Sequence, residues 1–199
     1  MCMCDQLPEL PTQTRVVLLL HQLEQHKTTN TGRLALRCLP NSALALRGRD
    51  TTLPAIATAQ SAAAPEFERP VLAPADGWLA GAARPVLLFP HPDAAPLDAF
   101  RDGDPLTLIV PDGTWSQAMR ARRRIADLHR IPCVRLPDGL VSEYRLRHAP
   151  HPGQVSTLEA IAHALGILED PRLREALLAV QRLMTTRTLQ TRGYPPDGR

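Results

Sequence analysis

The sequence predicts an α/β fold, a mostly parallel sheet flanked by helices. Two observations carry this: short runs rich in branched residues alternate with stretches of helical periodicity, and the runs are almost continuously apolar. Strands covered on both faces have that character, whereas a one-sided antiparallel sheet alternates polar with apolar residues. The predicted strands are Arg15 to His21, Pro85 to Phe89, Leu106 to Val110 and Cys133 to Leu136.

Capping chemistry marks the helices. Asn30 or Thr31 can cap a helix that turns Leu34, Ala35 and Cys38 inward and stops before Pro40-Asn41. After the third strand, Thr114 and Gln117 have capping-box spacing, which predicts a helix from Thr114 through Leu128 with Ala118, Met119 and Ile125 toward one side. A second box, Ser156 with Glu159, precedes Leu158, Ile161, Ala162 and Leu165 at helical spacing, with Gly166 as terminator. Asp170 as N-cap and Pro171 at the first helical position open a last helix with the stripe Leu173, Leu177, Val180 and Met184. Residues 50–84, carrying Pro54, Pro65, Pro70 and Pro74, give no pattern.

With 199 residues, 44% hydrophobic and 22% charged, the chain has the size and composition of one globular domain. Its net charge of +3 is unevenly placed: from Trp115 to His151 eight arginines face three acids, so that segment carries +5 and the remainder −2. Arginine is suited to phosphate and carboxylate, although a GC-rich genome also favours it. The four cysteines have no spacing of a secreted disulfide framework. The apolar run Val16 to Leu20 is too short for a signal peptide or a membrane span. A cytoplasmic protein without a membrane partner is expected.

The candidate reactive centre is Asp112. It follows a buried strand and precedes a glycine and a helix start, the place where open α/β sheets bind ligands. A carboxylate there can accept a proton or orient a donor, and the helix start can hold an anion; the plain alternative is a turn. His21 and Glu24 matter if they share that sheet edge. Trp115 can stack on a base or fill the core. Cys2 and Cys4 are half of a zinc site, which Cys38 and Cys133 would have to complete. Arg120, Arg122, Arg123 and Arg124, with the later cluster Tyr144-Arg145, can follow a nucleic-acid backbone, or the helix can simply present a solvated face. No Walker loop, Gly-x-Gly-x-x-Gly or Gly-x-Ser-x-Gly occurs.

Asp112-Gly113-Thr114-Trp115 and Gln117-Ala118, with His21-x-x-Glu24, Asn30-Thr31-Gly32-Arg33-Leu34, Leu87-Leu88-Phe89-Pro90, Tyr144-Arg145-Leu146-Arg147 and Ser156-Thr157-Leu158-Glu159-Ala160, together resemble the DTW-domain family over about residues 2–166. The resemblance implies a tRNA-uridine aminocarboxypropyltransferase, which moves the 3-amino-3-carboxypropyl group of S-adenosylmethionine to N3 of a uridine and releases methylthioadenosine. It also implies a SPOUT-like fold, and it alone supports a knot. The donor would contact Leu88, Pro90, Thr114, Trp115, Arg147, Ser156, Thr157, Leu158 and Glu159, with Arg147 or the helix start after Ser156 clamping its carboxylate.

Asp112 would act on the uridine proton through position in a dry site, as base or as orienter. Residues 1–13 would be the remnant of a cysteine-rich element, 14–190 the DTW domain and 191–199 a disordered tail. Departures from the family pattern are the short cysteine segment, which leaves zinc uncertain, and Phe89 in place of tyrosine. The competing readings are a SPOUT-like RNA methyltransferase and a non-catalytic RNA-binding module. The target uridine and the oligomeric state are not encoded legibly.

Overall fold

The computed structural model describes residues 3–24, 27, 29–47, 71–72, 79, 81–113, 115–146 and 154–194. The strands are β1 (Arg15–His21), β2 (Ser42–Arg47), β3 (Val71–Leu72), β4 (Pro85–Leu88), β5 (Ala95–Pro96), β6 (Thr107–Asp112) and β7 (Cys133–Arg135). They form one sheet in the order β3-β2-β1-β6-β4-β7-β5, and every pairing is parallel. The helices are α1 (Thr31–Cys38), α2 (Trp115–Arg124), α3 (Ala126–Arg130), α4 (Thr157–Leu168) and α5 (Pro171–Thr191).

The pleat of the sheet divides the core in two. Val16, Leu18 and Leu20 of β1, Leu108 and Val110 of β6 and Val86 and Leu88 of β4 join the cluster that α1, α4 and α5 cover. Val17, Leu19, Ile109, Leu87 and Phe89 join the cluster under α2 and α3. Leu18, Leu19 and Leu20 are all fully buried, each contributing roughly 1.5–3 kcal/mol by leaving water. This two-sided burial is why β1 reads as an unbroken apolar run.

β2 was not among the expected strands. Its sequence, Ser-Ala-Leu-Ala-Leu-Arg, is half alanine and serine, residues with little preference for strands, and it gains its conformation by pairing with β1 from Val16↔Ser42 to His21↔Arg47. β6 runs two residues further than expected, because Leu19 pairs with Pro111 and Leu20 with Asp112. Pairing with β4 ends at Leu87↔Ile109, so the missing N–H of Pro111 faces an open side of the strand and breaks no ladder.

The helix expected through Leu128 divides at Ile125, which has an extended backbone and leads into α3. Asn30, Ser156 and Asp170 are the N-caps of α1, α4 and α5, the second within a complete capping box. Gly166 does not terminate α4, which continues to Leu168. A Cβ at Gly166 would lie 2.8 Å from Cβ of Arg174; the glycine lets α5 come close. The N-terminal segment also packs on this face: Met3, Leu7 and Leu10 contact the core, and Leu10 N–H donates to the Cys38 carbonyl at 2.7 Å. Among the described residues no helix is long and apolar enough to cross a membrane.

Gly166→Ala is expected to lower the denaturation midpoint. The gain in helix propensity is about 0.8–1 kcal/mol, while overpacking costs about 1–3 kcal/mol; a higher midpoint in a denaturant titration would contradict the close approach of α5.

Candidate active site

The two buried carboxylates on the α1/α4 side of the sheet edge organise the site. Asp112 ends β6 and lies on the Val110 side of the pleat, only 7% exposed. Its Oδ2 accepts a hydrogen bond from Asn30 Nδ2 at 2.6 Å, and its Oδ1 accepts one from the Thr157 hydroxyl at 2.6 Å. The other end of the Asn30 amide accepts from Arg33 N–H at 2.8 Å and so caps α1. Gly32 makes room for this contact, since a Cβ there would stand 3.0 Å from Asp112 Oδ2 and 2.8 Å from Leu18. Gly113 has φ 144°, open to glycine alone, and turns the chain from β6 toward α2.

Glu159, 1% exposed, is the second carboxylate. It accepts from Ser156 N–H at 2.6 Å, from the Ser142 hydroxyl at 2.7 Å and from Glu143 N–H at 2.7 Å. A buried carboxylate is tolerated only when donors replace its water, and here the donors belong to the loop before α4. Tyr144 continues the tie: its hydroxyl donates to the Thr29 carbonyl at 3.2 Å, in the turn ahead of α1. The starts of α1 and α4 and the end of β6 are thereby locked together, with both helix N-termini beside Asp112.

The geometry brings some expected residues together and separates others. Ser156, Thr157 and Leu158 stand at the start of α4 and Leu88 at the end of β4, on the Asp112 side of the sheet. Pro90 is exposed just past β4. Glu159 is occupied in holding its own loop. Cys2, Thr114, Arg147 and the side chain of Trp115 lie outside what is described.

His21 shares the sheet edge with Asp112 but not the face, because it follows Leu20, the register partner of Asp112. It stands instead on the α2 side, where burial first, then the charges of Arg47 and Arg120, hold its pKa below the usual histidine value against the opposing pull of Glu24. Glu24 itself is ion-paired with Lys27 at 2.6 Å.

Arg120, Arg123, Arg124 and Arg145 are exposed. Arg122 is not part of that row. It turns toward β7, where its charge and hydrogen bond offset the burial that pushes the Cys133 thiol up. Tyr144 is likewise 8% exposed and packs inward, so its ring is not offered to RNA.

Cys38 belongs to the cluster on one face of the sheet and Cys133 to the other, which prevents the two from completing one zinc site with Cys4. Among the described residues no group of three or more potential ligands is close enough to hold a metal. Asn30 was legible only as a cap, and its second role, gripping Asp112, depends on a contact 82 residues away.

An all-parallel sheet with a clasped aspartate between two helix starts at its carboxyl edge defines an α/β protein, and that edge is where such sheets bind ligands. The chain belongs to the DTW domain family, which matches residues 1–189. The tRNA-uridine aminocarboxypropyltransferase 2 of Drosophila melanogaster is 30% identical over 182 residues, covering 89% of this chain and 66% of that protein. The protein of the same name from Macaca fascicularis is 29% identical over 184 residues, covering 89% and 56%. The chain thus spans between 56% and 66% of the length of these relatives. The SAM-dependent rRNA:acp-transferase of Vulcanisaeta distributa has the same fold, with a TM-score of 0.50, 16% identity and coverage of 89% of this chain and 79% of that one.

Thr157→Val removes one donor from the buried Asp112 carboxylate. It is expected to cost about 1–3 kcal/mol, read as a lower denaturant midpoint at unchanged slope. Asp112→Ala should cost more, since it strands both Asn30 and Thr157; wild-type stability in both variants would show that the clasp contributes nothing.

Proposed function

We propose that this protein transfers the 3-amino-3-carboxypropyl group of S-adenosylmethionine to N3 of a uridine in tRNA, releasing methylthioadenosine. The observation that carries the reading is the clasp itself: the aspartate of the family motif is held rigidly between two helix N-termini at the carboxyl edge of the sheet. The similarity to two tRNA-uridine aminocarboxypropyltransferases supports it.

The residues present fit the donor. Helix starts carry N–H groups without partners inside the helix. The side chains of Asn30 and Ser156 cap the amides of Arg33 and Glu159, and the earlier amides of α1 and α4 would receive the methionine carboxylate. Leu88 and Leu158 would line the adenosine; the family resemblance adds Thr114 and Arg147 as contacts, both outside the described residues. When bound, the donor supplies a sulfonium from which any attached carbon can be displaced.

The chain decides which carbon reacts. By fixing the methionine carboxylate at the helix starts, it would hold the γ-carbon in line with uridine N3 and keep the methyl group away. The new bond joins N3 to that carbon, the carbon–sulfur bond breaks, and sulfur keeps the electron pair as methylthioadenosine leaves. The N3 proton goes to Asp112 or, with Asp112 as orienter, to water. Each carboxylate oxygen retains an acceptor site beyond the bond it already makes, so accepting from the imide N–H does not require the clasp to open. The exposed arginines of α2 would hold tRNA phosphates.

The test incubates the full chain with S-adenosylmethionine and undermodified tRNA and weighs both nucleoside and by-product. Aminocarboxypropyluridine together with methylthioadenosine is expected. Methylated nucleoside with S-adenosylhomocysteine would make it a methyltransferase, and bound RNA without product would make it a binding module. In Asp112→Asn, which preserves shape, transfer should fall about a hundredfold or more with RNA binding retained.

Arg123→Ala combined with Arg124→Ala should weaken tRNA binding and flatten its dependence on salt by roughly 0.7–0.9 per lost phosphate contact. Unchanged binding would leave these arginines as a solvated face.

A further inference from the structure

A group of basic side chains meets at the same sheet edge, on the face away from Asp112. His21 and Arg47 end β1 and β2 as a register pair, and they continue the series Val17, Leu19 and Ala43, Ala45 that faces the α2 layer. Arg120 approaches the pair from α2, close enough for its charge to act on His21. Burial lowers Arg47 to about 10, which leaves it a cation at neutral pH.

The Nε and Nη2 atoms of Arg47 are buried and have no hydrogen-bond partner among the described residues. A buried guanidinium with unused donors is costly, and such groups in folded proteins are nearly always satisfied. These two nitrogens form one edge of the guanidinium fork, whose parallel N–H groups match two oxygens of a single oxyanion. Arg47 as a residue is partly exposed, and rotation about the outer bonds of its long side chain would bring that edge to an incoming oxyanion. The nearby acid, Glu24, is occupied by Lys27. The exposed Arg123 and Arg124 extend the positive field along α2 beyond Arg120, a shape that suits a strand bearing successive charges better than a lone carboxylate.

We propose that Arg47, with Arg120 beside it, receives one phosphodiester of the bound RNA at the ends of β1 and β2. The inference rests on the RNA substrate proposed above and adds a contact that lies across the sheet from the reacting groups. β1 lies between β2 and β6 in the sheet, so a strand gripped here passes within two strands of the edge that carries Asp112. Arg47 acts as a positioning residue: it fixes the backbone of the RNA and touches neither the base nor the donor.

The experiment measures binding of an unmodified tRNA transcript across a salt series for the wild-type chain, Arg47→Gln and Arg47→Lys, with thermal melts and methylthioadenosine binding measured in parallel. Arg47→Gln is expected to lose about tenfold or more in affinity, and its log–log salt slope should be shallower by roughly 0.7–0.9. Its melting temperature should not fall, because an unpaired buried charge has been removed. Arg47→Lys should keep the slope, and methylthioadenosine binding should be equal in all three.

An unchanged slope in Arg47→Gln overturns the proposal, as does a lowered melting temperature accompanied by weaker methylthioadenosine binding, which would make Arg47 a structural residue. If the slope depends on Arg47 and no aminocarboxypropyl group is transferred, the proposed activity fails and the phosphate contact stands. If transfer is intact and the slope is unchanged, the reverse holds.

Discussion

The hydrogen bonds that converge on Asp112 are the constraint from which the site follows. Asn30 and Thr157 reach its two oxygens from the starts of α1 and α4, so three segments far apart in sequence meet on one side chain. A carboxylate at that depth is stable only with such donors, and the donors in turn are fixed because they sit at capped helix ends. Neither partner can relax without the other losing its hydrogen bond. The absence of a side chain at Gly32 completes the arrangement, since a methyl group there would press on both Asp112 and Leu18.

Glu159 extends the same logic outward. It closes the capping box of α4 and holds Ser142 and Glu143 with the same two oxygens. The loop after β7 is therefore tied to the helix start rather than packed loosely over it. Tyr144 carries the tie across to Thr29. Asn30, Ser142 and Glu159 each serve two neighbours or more, which restrains the site.

Features set by local chemistry were legible in the sequence. Arg15–His21 was read with its true ends because burial on both faces demands an unbroken apolar run, and Asn30, Ser156 and Asp170 declared themselves as caps because a cap needs only its own next three residues. What depended on distant contacts was not legible. Gly166 looked like a helix stop, and only the approach of Arg174 shows it to be a spacer. β2 was missed because its strand character comes from β1, and with it went Arg47, which ends its strand as His21 ends β1. Arg122 and Tyr144 were placed on the surface by composition, whereas the fold turns both inward.

The pleat at the end of β1 places adjacent residues in different surroundings. Leu20 faces the compartment of Asp112, and His21, one peptide further, faces that of Arg47 and Arg120. The sheet thus separates two chemically unlike faces, one carrying clasped carboxylates and helix starts and the other His21, Arg47 and Arg120. A single-residue slip in β1 would exchange every side chain between them, so an insertion within the strand would disrupt both faces where one in a connecting loop would not. A substitution on one face therefore leaves the side chains of the other in place, so the surroundings of Asp112 and those of Arg47 can change separately.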